Sequence, residues 1–212
     1  MKIAILLYDG FTALDAVGPY EVLSRLPGAE LTFTAARSGP VRSDTGFLSL
    51  VAEAPLAEVR AADILLLPGG PGQAALMADE PLLDWIRTLD ATTTWTTSVC
   101  TGSLLLAAAG LLKGRTAASH WLALDQLPTF GATPSSDRVV IDGKYATSAG
   151  VSAGIDLALS LAGRIAGDQT AQAIQLLTEY APEPPYRAGT PATAPAELVA
   201  ALRRRAPEFL TS

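Results

Sequence analysis

Two hydrophobic rhythms run along the chain. Short runs that are apolar at nearly every position, Ile3 to Tyr8 and Ile64 to Leu67, read as strands buried on both faces. Between them lie longer segments with polar residues interspersed, which read as helices. The pattern predicts a strand over 2–8 that ends in the turn Asp9-Gly10, a helix over 13–25 and a strand over 30–36. A hairpin or irregular excursion follows over 40–53, with Ser43, Asp44 and Gly46 as turn residues. The strand 63–67 stops at Pro68-Gly69-Gly70-Pro71-Gly72, which cannot continue a ladder. Helices are predicted over 73–78 and 80–90, with Pro81 suited to a first turn. A Thr-, Trp- and Val-rich strand covers 92–99, Cys100 follows at once, and an apolar helix then runs to about Leu112. A hairpin over 138–148 turns at Asp142-Gly143, and helices cover 151–166, 168–180 and 195–206.

Strands apolar on both faces, alternating with helices, imply a mostly parallel sheet covered on two sides. The expected fold is therefore α/β, a three-layer sandwich, in one domain spanning 1–212. The stretch 181–195 holds Pro182, Pro184, Pro185, Pro191 and Pro195. It reads as an arm, because the one helix after it is too little chain to fold alone.

Composition narrows the function. Apolar residues make up 49% of the chain and charged residues 17%, so a large core is expected. The net charge of −6 comes without a basic stripe, which argues against nucleic acid as a partner. Arg203 to Arg205 read as a solvated helix face. A single cysteine rules out an intrachain disulfide, and one histidine beside it makes a poor inventory for a metal site. No signal-peptide pattern opens the sequence, and no apolar run reaches the ~18 residues of a membrane span. A cytoplasmic location and no membrane partner are the expectations.

Ligands of parallel α/β sheets bind at the carboxyl ends of strands. Three segments end strands here, Tyr8 to Asp15, Pro68 to Gly72 and Ser98 to Gly102, and the topology lets them converge. Cys100 sits between a strand and a helix, the geometry of a nucleophile elbow, with the Thr101 N–H free to face developing negative charge. The plain alternative is a buried, inert cysteine. The Gly69–Gly72 loop allows close backbone approach but lacks the Lys and Ser/Thr of a phosphate loop. Asp15, between Leu14 and Ala16, is a candidate acid of raised pKa or simply a helix cap, with Glu21 as the rival carboxylate. His120, the only histidine, offers a Cys–His pair.

Five motifs in order resemble the DJ-1/PfpI superfamily. They are Leu6-Leu7-Tyr8-Asp9-Gly10-Phe11 with Leu14-Asp15 and Gly18-Pro19; Leu67-Pro68-Gly69-Gly70-Pro71-Gly72; Ser98-Val99-Cys100-Thr101-Gly102-Ser103; Ala118-Ser119-His120-Trp121; and Ser148 to Asp156. Asp15 stands in the aspartate position of the isocyanide hydratases in that superfamily. Thr101 replaces the histidine that follows the cysteine in PfpI-type proteases. No histidine follows His120, against the glutamine amidotransferases, and no basic helix-turn-helix is appended as in the AraC-type regulators.

The resemblance implies a flavodoxin-like fold, a homodimer and no cofactor or metal. It also implies an activity: Cys100 attacks the terminal carbon of an organic isocyanide, a thioimidate forms, and water releases an N-substituted formamide. Asp15 would protonate the substrate and manage the water. The N–H groups of Gly70 and Thr101 would hold the thiolate or polar atoms near it, with His120, Gly69, Ser119 and Val151 around them and His120 outside the chemistry. Other activities of the fold remain open on the residues: a glyoxalase, a thiol hydrolase, or a sensor in which Cys100 is oxidised.

Overall fold

The computed structural model describes residues 1–210. In chain order the strands and helices are β1 (Lys2–Leu6), α1 (Ala13–Leu23), β2 (Glu30–Ala35), β3 (Gly39–Arg42), β4 (Ser49–Ala52), β5 (Ala54–Pro55), β6 (Ile64–Leu67), α2 (Gln73–Leu76) and α3 (Glu80–Asp90). They continue as β7 (Trp95–Val99), α4 (Gly102–Ala108), β8 (Thr116–Ala118), β9 (Thr133–Ser135), β10 (Val139–Asp142), β11 (Tyr145–Ser148), α5 (Ala153–Ala166), α6 (Asp168–Leu177), α7 (Ala196–Arg204) and α8 (Ala206–Leu210).

Seven strands form the main sheet in the order β10-β11-β7-β6-β1-β2-β5. All neighbours run parallel except the β10–β11 hairpin. The central strand β6 is buried at every position, which its four-residue apolar run requires. Helices α1, α5 and α6 pack together as one covering layer, and α2, α3 and α4 as the other. This is the expected three-layer flavodoxin-like sandwich. The segment 39–52 is the expected hairpin, a separate antiparallel pair of β3 and β4. Asp79 caps α3 by accepting the Leu82 N–H at 3.2 Å, with Pro81 inside the first turn as its fixed φ allows.

Two expectations needed correction, and one region held elements that the pattern had not shown. The helix after Cys100 is shorter than the apolar run suggests: α4 ends at Ala108, and Gly110 follows with φ of 82°. The last helix is two, α7 and α8, the second containing Pro207. The region 119–138, left without an element by the pattern, holds a 3-10 turn at Leu124–Phe130 and β9, which pairs with β8 in a small parallel sheet. Among the described residues, no helix is long and apolar enough to cross a membrane.

Candidate active site

Four neighbouring strands of the sheet, β1, β6, β7 and β11, each release a loop at the carboxyl end that reaches one place. Cys100 follows β7 directly and takes φ of 58°, the strained turn of a nucleophile elbow. The turn is held from beneath. The Cys100 N–H is shared by the carbonyls of Ser148 and Ala149 at 3.2 and 3.1 Å. The Cys100 carbonyl accepts from Ser119 Oγ at 3.2 Å and from Ser103 Oγ at 3.3 Å. The two elements meet too tightly for side chains. A Cβ on Gly102 would lie 2.2 Å from the Leu67 carbonyl oxygen, and one on Gly69 would lie 2.5 Å from the Thr101 nitrogen.

Asp15 occupies the first turn of α1 and is fully buried. Thr12 precedes the helix, so Asp15 is no cap. Its Oδ2 accepts the Gly69 N–H at 2.8 Å. Its Oδ1 is buried without a formed hydrogen bond, although the Cys100 thiol lies close enough to draw on the carboxylate. Burial raises the Asp15 pKa to about 7; the Gly69 N–H and the thiol pull it down in part, and the charge of Asp44 raises it. Burial also pushes the Cys100 thiol well up, and the Asp15 charge pushes it further. The backbone N–H groups of Val151 and Thr101 oppose that rise. Two ionisable groups thus share a dry site that favours one negative charge between them.

The Gly70 N–H holds a polar atom beside the cysteine, donating to Thr101 Oγ1 at 2.9 Å. The Val151 N–H favours the thiolate as the Thr101 N–H does, and Val151 takes φ of 41°. Glu21, the rival carboxylate, is half-exposed and pairs with Arg25 at 2.7 Å. His120 does reach the cavity, but its Nδ1 accepts the Leu122 N–H at 3.3 Å, and burial lowers its pKa and so disfavours the charged ring. Tyr8 lies near the pair. Burial first, and then the Asp15 charge, hold its phenol protonated while it donates to the Pro68 carbonyl at 2.8 Å.

Above Cys100 opens a cavity of about 430 Å³. Thr12, Asp44 and Thr45 line one part of it, the Thr12 hydroxyl donating to Asp44 Oδ2 at 2.7 Å. Trp121, Leu202 and Phe209 line another part. The sequence reading missed the polar group and both C-terminal residues. The turn at Ser43 to Gly46 was legible, but nothing in it points toward residue 100. Among the described residues, no cluster of three or more His, Cys, Asp or Glu side chains could hold a metal.

The family model described as the DJ-1/PfpI family matches residues 1–164. The chain belongs to the DJ-1/PfpI family. A THiJ/PfpI family protein from Pseudomonas syringae superposes with a TM-score of 0.95 at 41% identity, covering 98% of this chain and 86% of that one. The isonitrile hydratase of Pseudomonas putida is 46% identical over 97% of this chain and 90% of its own length. The transcriptional regulator CdhR of Pseudomonas aeruginosa is 34% identical over 78% of this chain but only 51% of its own length. The DJ-1/PfpI match covers all four loops that build the site, from Thr12 to Val151, and stops before the C-terminal helices that close it.

Proposed function

We propose that this chain is an isocyanide hydratase, a hydro-lyase that converts an organic isocyanide and water into an N-substituted formamide. The carrying observation is the buried Asp15–Cys100 pair with a pKa near 7 on the carboxyl, in a chain 46% identical to an isonitrile hydratase along nearly its whole length. Isocyanides carry their reactivity on a terminal carbon that takes both a nucleophile and a proton. A pair holding one proton and one negative charge supplies both in one place.

The steps balance on the pair alone. The Cys100 sulfur bonds to the isocyanide carbon, and that carbon takes the proton the pair shares. The product is a thioimidate, R–N=CH–S–Cys100. Water then adds to the same carbon; one of its protons goes to the imine nitrogen and its hydroxyl stays on carbon. The carbon–sulfur bond breaks, the hydroxyl proton returns to the pair, and R–NH–CHO leaves. Asp15 is the carrier for each proton, since its Oδ1 is a titratable, buried oxygen without a fixed partner beside Cys100. Thr101 and Val151 turn their N–H groups to the sulfur in the states where it bears charge.

The experiment is incubation with cyclohexyl isocyanide, with formamide followed by chromatography, and with Cys100→Ala as control. Formamide from the unsubstituted protein and none from the variant is the expected result. No formamide, with methylglyoxal consumed instead, would replace the reading with a glyoxalase. The same reading carries a homodimer and a cytoplasmic location, where the thiol stays reduced. Light scattering at twice the chain mass supports the dimer, and a single chain mass overturns it.

A further inference from the structure

The two C-terminal helices add a wall to the cavity that the rest of the site leaves open. Leu202 of α7 and Phe209 and Leu210 of α8 line the space above Cys100 together with Trp121. The exposed arm 181–195 brings them there. Two contacts fasten them down. Gln73, buried beside the Gly69–Gly72 loop, donates from Nε2 to the Leu210 carbonyl at 3.4 Å. The Arg203 guanidinium lies over the Trp121 ring at 5.9 Å from its centroid.

Two parts of the lining divide by chemistry. The polar part, Thr12, Asp44 and Thr45, comes from the first β-strand loops; α7 and α8, from the other end of the chain, contribute the apolar Leu202, Phe209 and Leu210 and one carboxylate, Glu208, which pairs with Arg205 at 2.9 Å. An isocyanide is a rod: carbon, nitrogen and the first substituent atom lie close to one line. With its terminal carbon on the sulfur at the cavity floor, the substituent is carried away from the pair along that line. A one-carbon substituent ends short of the walls of a 430 Å³ space. An alicyclic or aromatic one fills it, and cavities of this size are ordinary for whole small-molecule ligands.

We infer that Leu202 and Phe209 are specificity-determining residues, forming with Trp121 an apolar wall that selects isocyanides bearing a bulky alicyclic or aromatic N-substituent. This rests on the hydratase reading above and adds to it the part of the substrate remote from the chemistry. The wall acts through the fit of apolar surface, so its effect scales with the size of the group that touches it. Removing a few methylenes of contact changes discrimination by roughly tenfold.

The test compares kcat/KM for cyclohexyl isocyanide with that for methyl isocyanide in the full chain, in Phe209→Ala and in Leu202→Ala. The ratio, bulky over small, should fall roughly tenfold in each variant, through KM more than kcat. The two substitutions lie on different helices, so misfolding of one segment does not remove the test. Circular dichroism and Cys100 alkylation by iodoacetamide show that the fold and the thiol are present. A ratio unchanged within about twofold in both folded variants overturns the wall assignment. If the unsubstituted chain hydrates neither isocyanide, the hydratase reading is what has failed. If it hydrates both with equal kcat/KM, the hydratase stands and the selective wall is overturned.

Discussion

Asp15 holds Gly69 by its backbone: Oδ2 accepts the Gly69 N–H at 2.8 Å, across 54 residues of chain. That one bond ties the first turn of α1 to the loop against which Cys100 is packed. It also fixes which oxygen is spent and which remains for a proton.

Asp15→Asn should keep that bond, because an amide oxygen accepts as a carboxylate oxygen does. The loss falls on the proton. Steady-state assays should show kcat lower by about 10²–10⁴-fold. Retention of the normal rate would move the acid role elsewhere, with His120 the next residue to test.

The same substitution should stabilise the fold, in a pH-dependent way. Asp15 is raised from 3.8 to about 7, so between those values the folded state binds more protons than the unfolded one. Its contribution is therefore favourable at low pH and is lost as pH rises through about 7. Asn carries no such cost. Thermal melts should place the variant above the parent at pH 8 by roughly 5 °C and close the gap near pH 4. Equal gaps at both pH values would show that ionisation is not the cause.

The pH–rate profile follows from the pair. The first proton leaves near pH 7, and the second only well above the ordinary thiol range, because burial opposes charge on both groups and the Asp15 charge opposes the thiolate further. The state with one shared proton dominates in between. A kcat/KM that rises across pH 7 and then levels is expected. Any residual activity in Asp15→Asn should lack that inflection; its persistence would assign the titration to another group.

Gly69→Ala tests the close approach. The new Cβ would lie 2.5 Å from the Thr101 nitrogen and 2.9 Å from Cys100 Cβ, both held by backbone. Overpacking of this kind costs roughly 1–3 kcal/mol. Both Tm and kcat should fall, since relief requires the elbow to move. A variant with parental Tm and rate would mean the loop yields freely.

Thr101→Val removes the hydroxyl that takes the Gly70 N–H at 2.9 Å and leaves that donor buried without a partner. A loss of about 1–3 kcal/mol in denaturant titration is expected, and Thr101→Ser should restore most of it. Failure of serine to rescue would point to the lost methyl packing instead.

The layered fold was legible because Ile64 to Leu67 and Ile3 to Leu6 are apolar on both faces, a pattern that only a covered parallel sheet accommodates. The places of Cys100 and Asp15, where a strand or its turn hands over to a helix, were legible from the same pattern; the residues alone left Asp15 between an acid and a helix cap, and the resemblance pointed to the acid. The N–H partners were not legible. Gly70 and Val151 differ in where their backbone points, which depends on φ values of 134° and 41° set by the surrounding loops. Leu202 and Phe209 were hidden as well, since an amphipathic helix pattern shows which face is apolar but not which cavity that face overlooks.

The four loops that meet at Cys100 leave β1, β6, β7 and β11, which are adjacent in the sheet, so the site inherits its alignment from the ladder. Leu67 stands beside Ser98, and Val99 beside Ser148. A slip of one residue in any of these pairings would carry a loop about 3.3 Å along the strand and turn its side chains to the opposite face. No side-chain rearrangement at the site could make that good. Turnover is therefore a readout of strand register: a refolded or redesigned sample can show full secondary structure and still be silent, and the activity recovered measures the fraction of molecules whose sheet has zipped correctly.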